Sequence, residues 1–180
     1  MIILHKHVAG ASEGSLNTFT TKAQRAAGLR GSVSVLLTNS RELRVLNRQF
    51  RGKDKPTDVL SFPSEVAGAR RFLGDVAISV EIAAQNAKRL GHSTADEVKI
   101  LILHGLLHLA GYDHEADHGE MARTEERLRS RLSLPAGLIA RVRASEKRLN
   151  RRLIGKKPQN SRRKSAAGRV RSRPVPRPSR

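Results

Sequence analysis

The sequence predicts an α/β (α+β) fold: a single domain in which helices cover a four-stranded mixed sheet. Three observations predict it. Strand-like alternation and helical spacing interleave in the order β-α-β-α-β-β, and the remainder reads as helix. Two of the strands are consecutive with no helix between them, which in a mixed ordering implies both parallel and antiparallel pairs. The 180 residues suffice for one hydrophobic core plus a tail, and four Phe, one Tyr and no Trp make that core aliphatic.

Taken in order, residues 1–8 open on the apolar run Ile2-Ile3-Leu4 and read as a short strand. Residues 16–29 read as a helix ended by Gly28 or Gly31. In residues 32–38, Val33, Val35 and Leu37 alternate with Ser32, Ser34 and Leu36, a strand with one face toward the core. Ser40 is the expected cap of a helix reaching Phe50, with Gly52 as its stop. Pro56 precedes a strand over 58–62, and residues 73–80 form the fourth. Helices follow over 81–90, 95–110, 118–131 and 136–153. Thr94 with Glu97 reads as a capping box, and Asp117 with Glu120 as a similar start.

Three sections result: a domain over 1–135, a helical extension over 136–154, and a tail over 155–180. The tail loses apolar periodicity and fills with Arg, Lys, Ser and Pro, so it cannot bury enough surface to offset its ordering entropy and is expected to be disordered. The formal charge of +19 is concentrated there: the last thirty residues hold 12 of the 35 bases and no acid, leaving +7 on the first 150. An anionic partner follows from that charge.

Several classes are excluded. Without cysteine there are no disulfides, thiolate ligands or cysteine nucleophile, so any metal must use His and carboxylates. The apolar run at the N-terminus breaks at His5-Lys6-His7, too early for a signal peptide, and nothing approaches the ~20 apolar residues of a membrane span. A cytoplasmic protein without membrane attachment is expected.

The chemistry lies in His104-Gly105-Leu106-Leu107-His108-Leu109-Ala110-Gly111-Tyr112-Asp113-His114. Four residues apart on a helix, His104 and His108 share a face one turn apart. Gly111 permits the left-handed residue that ends the helix and swings His114 back as a third ligand. Three neutral imidazoles suit one Zn2+ per chain, at the C-terminal end of a central buried helix. They leave a fourth tetrahedral position for water, whose pKa such an ion lowers toward ~7. The helix is otherwise apolar almost all round, and two unpaired imidazoles buried in it would cost about 1–3 kcal/mol each. His5, His7, His92 and His118 carry no such pattern and read as ordinary side chains.

The spacing also fits metzincin-like zinc proteases, but their general base is a Glu directly after the first His, and Gly105 stands there. Two further features accompany the trio. Glu125 shares a helical face with Met121, Leu128 and Leu132, where a carboxylate is out of place, so a hydrogen bond to a ligand imidazole or nearby backbone is expected. Arg41, Arg44, Arg48, Arg51 and Lys55 recur at steps of three or four, opposite Leu43, Leu46 and Phe50, and form a basic stripe.

Together with Leu46-Asn47, Phe50-Arg51-Gly52, the segment from Thr57 to Pro63, that from Leu73 to Ser79, and Met121 with Glu125, the histidine passage resembles the YbeY-type bacterial endoribonucleases of rRNA maturation. The likeness covers residues 36–126 closely. It implies a single-strand-specific, zinc-dependent endoribonuclease acting in small-subunit rRNA processing and ribosome maturation or quality control. The implied partners are rRNA, the small subunit, and ribosomal proteins or an assembly GTPase, but not DNA. It further implies that Arg51 sits in the substrate cleft, where a guanidinium fork meets a phosphate. The general base stays open among Asp58, Asp75 and Asp113, as does the attacking oxygen. The alternative is a non-catalytic assembly factor with a structural zinc.

Overall fold

The computed structural model describes residues 1–64, 72–114 and 116–135, and in these the chain forms four strands and five helices. They run β1 (Ile2–Leu4), α1 (Glu13–Ala26), β2 (Ser32–Thr38), α2 (Ser40–Arg51), β3 (Val59–Pro63), β4 (Phe72–Ser79), α3 (Val80–Leu90), α4 (Thr94–Leu109) and α5 (Glu120–Arg131). The sheet order is β1-β2-β4-β3, with β1, β2 and β4 mutually parallel and β3 antiparallel to β4. This is the mixed four-stranded sheet that the element order predicts. The expected helix over 136–154 and the tail over 155–180 lie outside the described residues.

Alternation along the strands divides the core in two. Val33, Val35, Leu37, Val76 and Ile78 face α1 and α4 and join the main cluster with Leu16, Leu101 and Leu103. Ala77 and Leu60 face the other way, packing with Leu43 of α2, and Leu36 and Phe62 border that smaller cluster. Being buried on both faces, β4 reads as a continuous apolar run at Val76-Ala77-Ile78. Helix α4 lies within the main core, and from Ile100 through Leu107 every residue is buried.

Several boundaries differ from the expected ones for local reasons. Strand β1 ends at Leu4 rather than Val8, because the His5 and Lys6 amides both converge on the Leu37 carbonyl and break the evenly spaced parallel ladder. Helix α1 begins at Glu13, three residues before the apolar stripe starts, since Ser12 caps it by accepting from the Ser15 amide; its C-cap is Ala27, just before Gly28. Asn39, not Ser40, caps α2. Ser93, not Thr94, caps α4 by accepting from the Asp96 amide, and Glu97 turns inward to meet His92 at 2.6 Å. Helix α5 starts at Glu120 rather than His118. Its N-cap is Gly119, and the carboxylate of Asp117 accepts the amides of Gly119, Glu120 and Met121.

Candidate metal centre

Helix α4 carries His104 and His108 out of the core on its last turns. His104 is still buried at 8% exposure, while His108 is half-buried. Past the cap residue Ala110, Gly111 takes φ 90°, and the amides of Gly111 and Tyr112 return to the carbonyls of His108 and Leu107. That reversal, available to glycine without strain, brings exposed His114 back over the helix end.

The three rings converge. One ring nitrogen from each of His104, His108 and His114 lies within 4.8 Å of the others, and the Nε2 atoms of His104 and His108 are 3.3 Å apart. A tetrahedral cation held by imidazoles at about 2.0–2.1 Å separates its ligands by about 3.4 Å, so the donor set fits such an ion. His108 is held below the ordinary histidine pKa by burial first, then by His104 and His114; a hydrogen bond to the Tyr112 backbone and the charge of Asp113 oppose this. The shift favours the neutral imidazole that a metal requires.

Behind His104 stands a buried charge relay. Nδ1 of His104 donates to Oε2 of Glu125 at 2.9 Å, which turns Nε2 toward the other two rings. Oε1 of Glu125 accepts from Nε of Arg129 at 2.8 Å and lies 2.7 Å from Nη2 of the same guanidinium as an ion pair, and Nη1 of Arg129 donates to the Pro135 carbonyl at 3.0 Å. Glu125 and Arg129 are each only 1% exposed. Burial pushes the Glu125 carboxyl up, but His104 and Arg129 outweigh it and hold the group below the usual carboxylate range.

A cleft of about 320 Å³ opens beside the rings, and Arg51, Ser61, Pro63, His108, Asp113 and His114 line it. Arg51 reaches it because α2 ends at left-handed Gly52, with φ 66°. The Asn47 amide pins the following loop through the Lys55 carbonyl, and the edge contact of Phe50 on Phe62, 5.0 Å between centroids, docks the helix end on β3. The rest of the basic stripe does not line this cleft. Arg44 is spent on a two-pronged pair with Asp54 at 2.8 and 2.9 Å.

Of the three aspartates left open, Asp113 alone lines the cleft. Asp58 precedes the far end of β3, where it accepts the Val59 amide. Asp75 shares its side of β4 with Ala77, on the face of α2. Gly105 lies against the sheet: a Cβ there would sit 2.6 Å from Val76 Cγ1 and 3.1 Å from Ser61 Oγ. The position held by the protease general base therefore has no room for a side chain.

Arg129 escaped the sequence reading, although its signal was present: it lies four residues after Glu125 on the face that also carries Leu128 and Leu132. Ser61, which donates to the Gly105 carbonyl, had none, since only the pairing of β3 with β4 brings it to the cleft.

Residues 4–133 match a protein family described as Endoribonuclease YbeY. A relative of that description from Koribacter versatilis (strain Ellin345) is 57% identical over 152 residues, 84% of this chain and 98% of the relative. One from Solibacter usitatus (strain Ellin6076) is 48% identical over 128 residues, 71% of this chain and 84% of its own. One from Nautilia profundicola is 50% identical over 109 residues, 61% and 78% respectively.

Proposed function

The chain belongs to the YbeY endoribonuclease family, and from that premise we propose that it cleaves single-stranded RNA with one zinc ion held by His104, His108 and His114. Its substrate in this reading is small-subunit rRNA, cut during ribosome maturation or quality control in the cytoplasm. No described helix is long and apolar enough to cross a membrane. The observation that carries the reading is the cleft that Arg51 and Asp113 line together with His108 and His114 of the three-histidine cluster.

When bound, zinc would supply Lewis-acid polarisation of a phosphoryl oxygen and a lowered pKa for water. The protein's own groups do the rest. Arg51 holds a non-bridging oxygen of the scissile phosphate and meets the charge that grows there as the bond breaks. Asp113, which lines the same cleft, takes up the proton of the attacking hydroxyl. Glu125 fixes the His104 ring so that Nε2 faces the other imidazoles, where it would hold the ion, and Arg129 fixes Glu125. The basic stretch over 151–180 adds salt-dependent affinity for rRNA on the ribosome surface. Ribosomal proteins or an assembly GTPase are the expected protein partners.

The test is a paired one: cleavage of single-stranded RNA by wild type and by His114→Ala, with zinc content and folding measured in both. Cleavage by the wild type alone, with zinc lost from a folded variant, supports the proposal. Equal cleavage by both exposes a contaminating nuclease, and a zinc-loaded wild type that binds RNA without cutting it points to an assembly factor.

A further inference from the structure

A second groove lies between the turn that carries the third histidine and helix α5. Tyr112, Glu120, Arg123, Thr124 and Arg127 line its roughly 510 Å³. Tyr112 belongs to both concavities, so the groove adjoins the cleft beside the metal cluster. We propose that this groove is a subsite for the RNA strand flanking the scissile phosphate. Tyr112 stacks on an unpaired base there, and Arg123 and Arg127 hold the adjoining phosphates.

The groove supplies the parts that single-strand binding needs: a ring against which any base can stack, and cations along the backbone path. The ring belongs to the chain's one tyrosine, half-buried against the main core and so fixed in place. Arg123 and Arg127 stand one helical turn apart, about 6 Å along the axis of α5, and both are exposed. Nη1 of Arg123 donates to the His118 carbonyl at 3.2 Å, which holds its head at the groove. Among the described residues, neither guanidinium is in a salt bridge, in contrast to Arg44 and Arg129.

Glu120 sets the groove apart from a plain anion trap. A carboxylate repels phosphate but accepts from the exocyclic amino group of a base, so the mixed lining suits a nucleotide better than an inorganic anion. A base must leave its helix to reach the ring, which makes the subsite specific for single strands.

The inference rests on the endoribonuclease reading, and the test separates the two. Zinc-loaded wild type and Arg123→Gln/Arg127→Gln, matched for folding and zinc content, would be given RNA strands sharing one cleavable core and extended by one to four nucleotides on either side. Extension on one side should raise wild-type kcat/KM by about 10-fold or more, and the double variant should lose that gain. In fluorescence anisotropy with the same strands, the slope of log affinity against log salt should fall by about 0.7 for each arginine removed. A length gain and salt slope both preserved in the variant would overturn the subsite. If the wild type cuts no RNA, the endoribonuclease reading falls, while the anisotropy slopes still decide the groove.

Discussion

Glu125 and His104 form a buried pair across two helices, with the carboxylate 2.9 Å from Nδ1 of the ring. The two residues are 21 positions apart, and the loop between them contains the third histidine of the cluster. The contact thus ties together α4, the turn after it and α5, and it presets which nitrogen of His104 faces the other rings.

Glu125→Gln keeps the shape of the side chain and removes its charge. Affinity for zinc, the ion proposed for the three histidines, should fall by about 10–100-fold, read by competition with a chromophoric chelator. Unchanged affinity together with unchanged activity would remove Glu125 from the site.

Arg129→Met leaves the carboxylate of Glu125 buried without its guanidinium. Breaking a buried pair from one side costs about 3–5 kcal/mol, and with Glu125 and Arg129 both 1% exposed, solvent does little to screen the loss. Urea unfolding should show that loss, and Arg129→Met/Glu125→Leu should recover part of it. A single variant as stable as the wild type would mean that the relay adds nothing to the fold.

Gly105→Ala sets two effects against each other. Helix propensity favours Ala by about 1 kcal/mol, whereas the new methyl would lie 2.6 Å from Cγ1 of Val76, a stiff side chain on a central strand. Overpacking typically costs about 1–3 kcal/mol, so the net change should be destabilising by up to about 2 kcal/mol. A rise in melting temperature would show that α4 can lift from β4 without penalty.

Asp117 accepts amides from Met121, Gly119 and Glu120, and these bonds, that of Met121 foremost, lower its pKa in the fold. Its stabilising effect is therefore full above the unfolded value of about 3.9 and is lost as pH falls through the lower folded value. Asp117→Asn should be less stable than wild type at pH 7, and the gap should close as both are titrated into strong acid. A gap of constant size from pH 7 to pH 2 would refute this account, since only the ionised carboxylate is credited.

How much of this was legible in the sequence follows from the distance over which each feature is set. The His104–His108 pair and its turn glycine were readable because helical periodicity and the conformational freedom of Gly111 act over a few residues. The alternation of Val33, Val35 and Leu37 likewise marked the core face of β2, a consequence of pleating alone. Exact caps were not readable. Ser12, Asn39 and Ser93 compete with polar neighbours, and backbone geometry decides which oxygen meets the free amides.

By itself, then, the sequence determined the mixed sheet, the apolar helix and the spacing that lets three imidazoles meet. Only the tertiary structure decided that Arg51 and Asp113 line one cleft with His108 and His114, that Asp58 and Asp75 do not, and that Arg129 stands behind Glu125. The physical reason is that convergence of side chains from separate elements depends on strand order and on the closeness of helix to sheet. The antiparallel pairing of β3 with β4 and the tight contact of Gly105 on Val76 set both, and neither leaves a periodic trace along the chain.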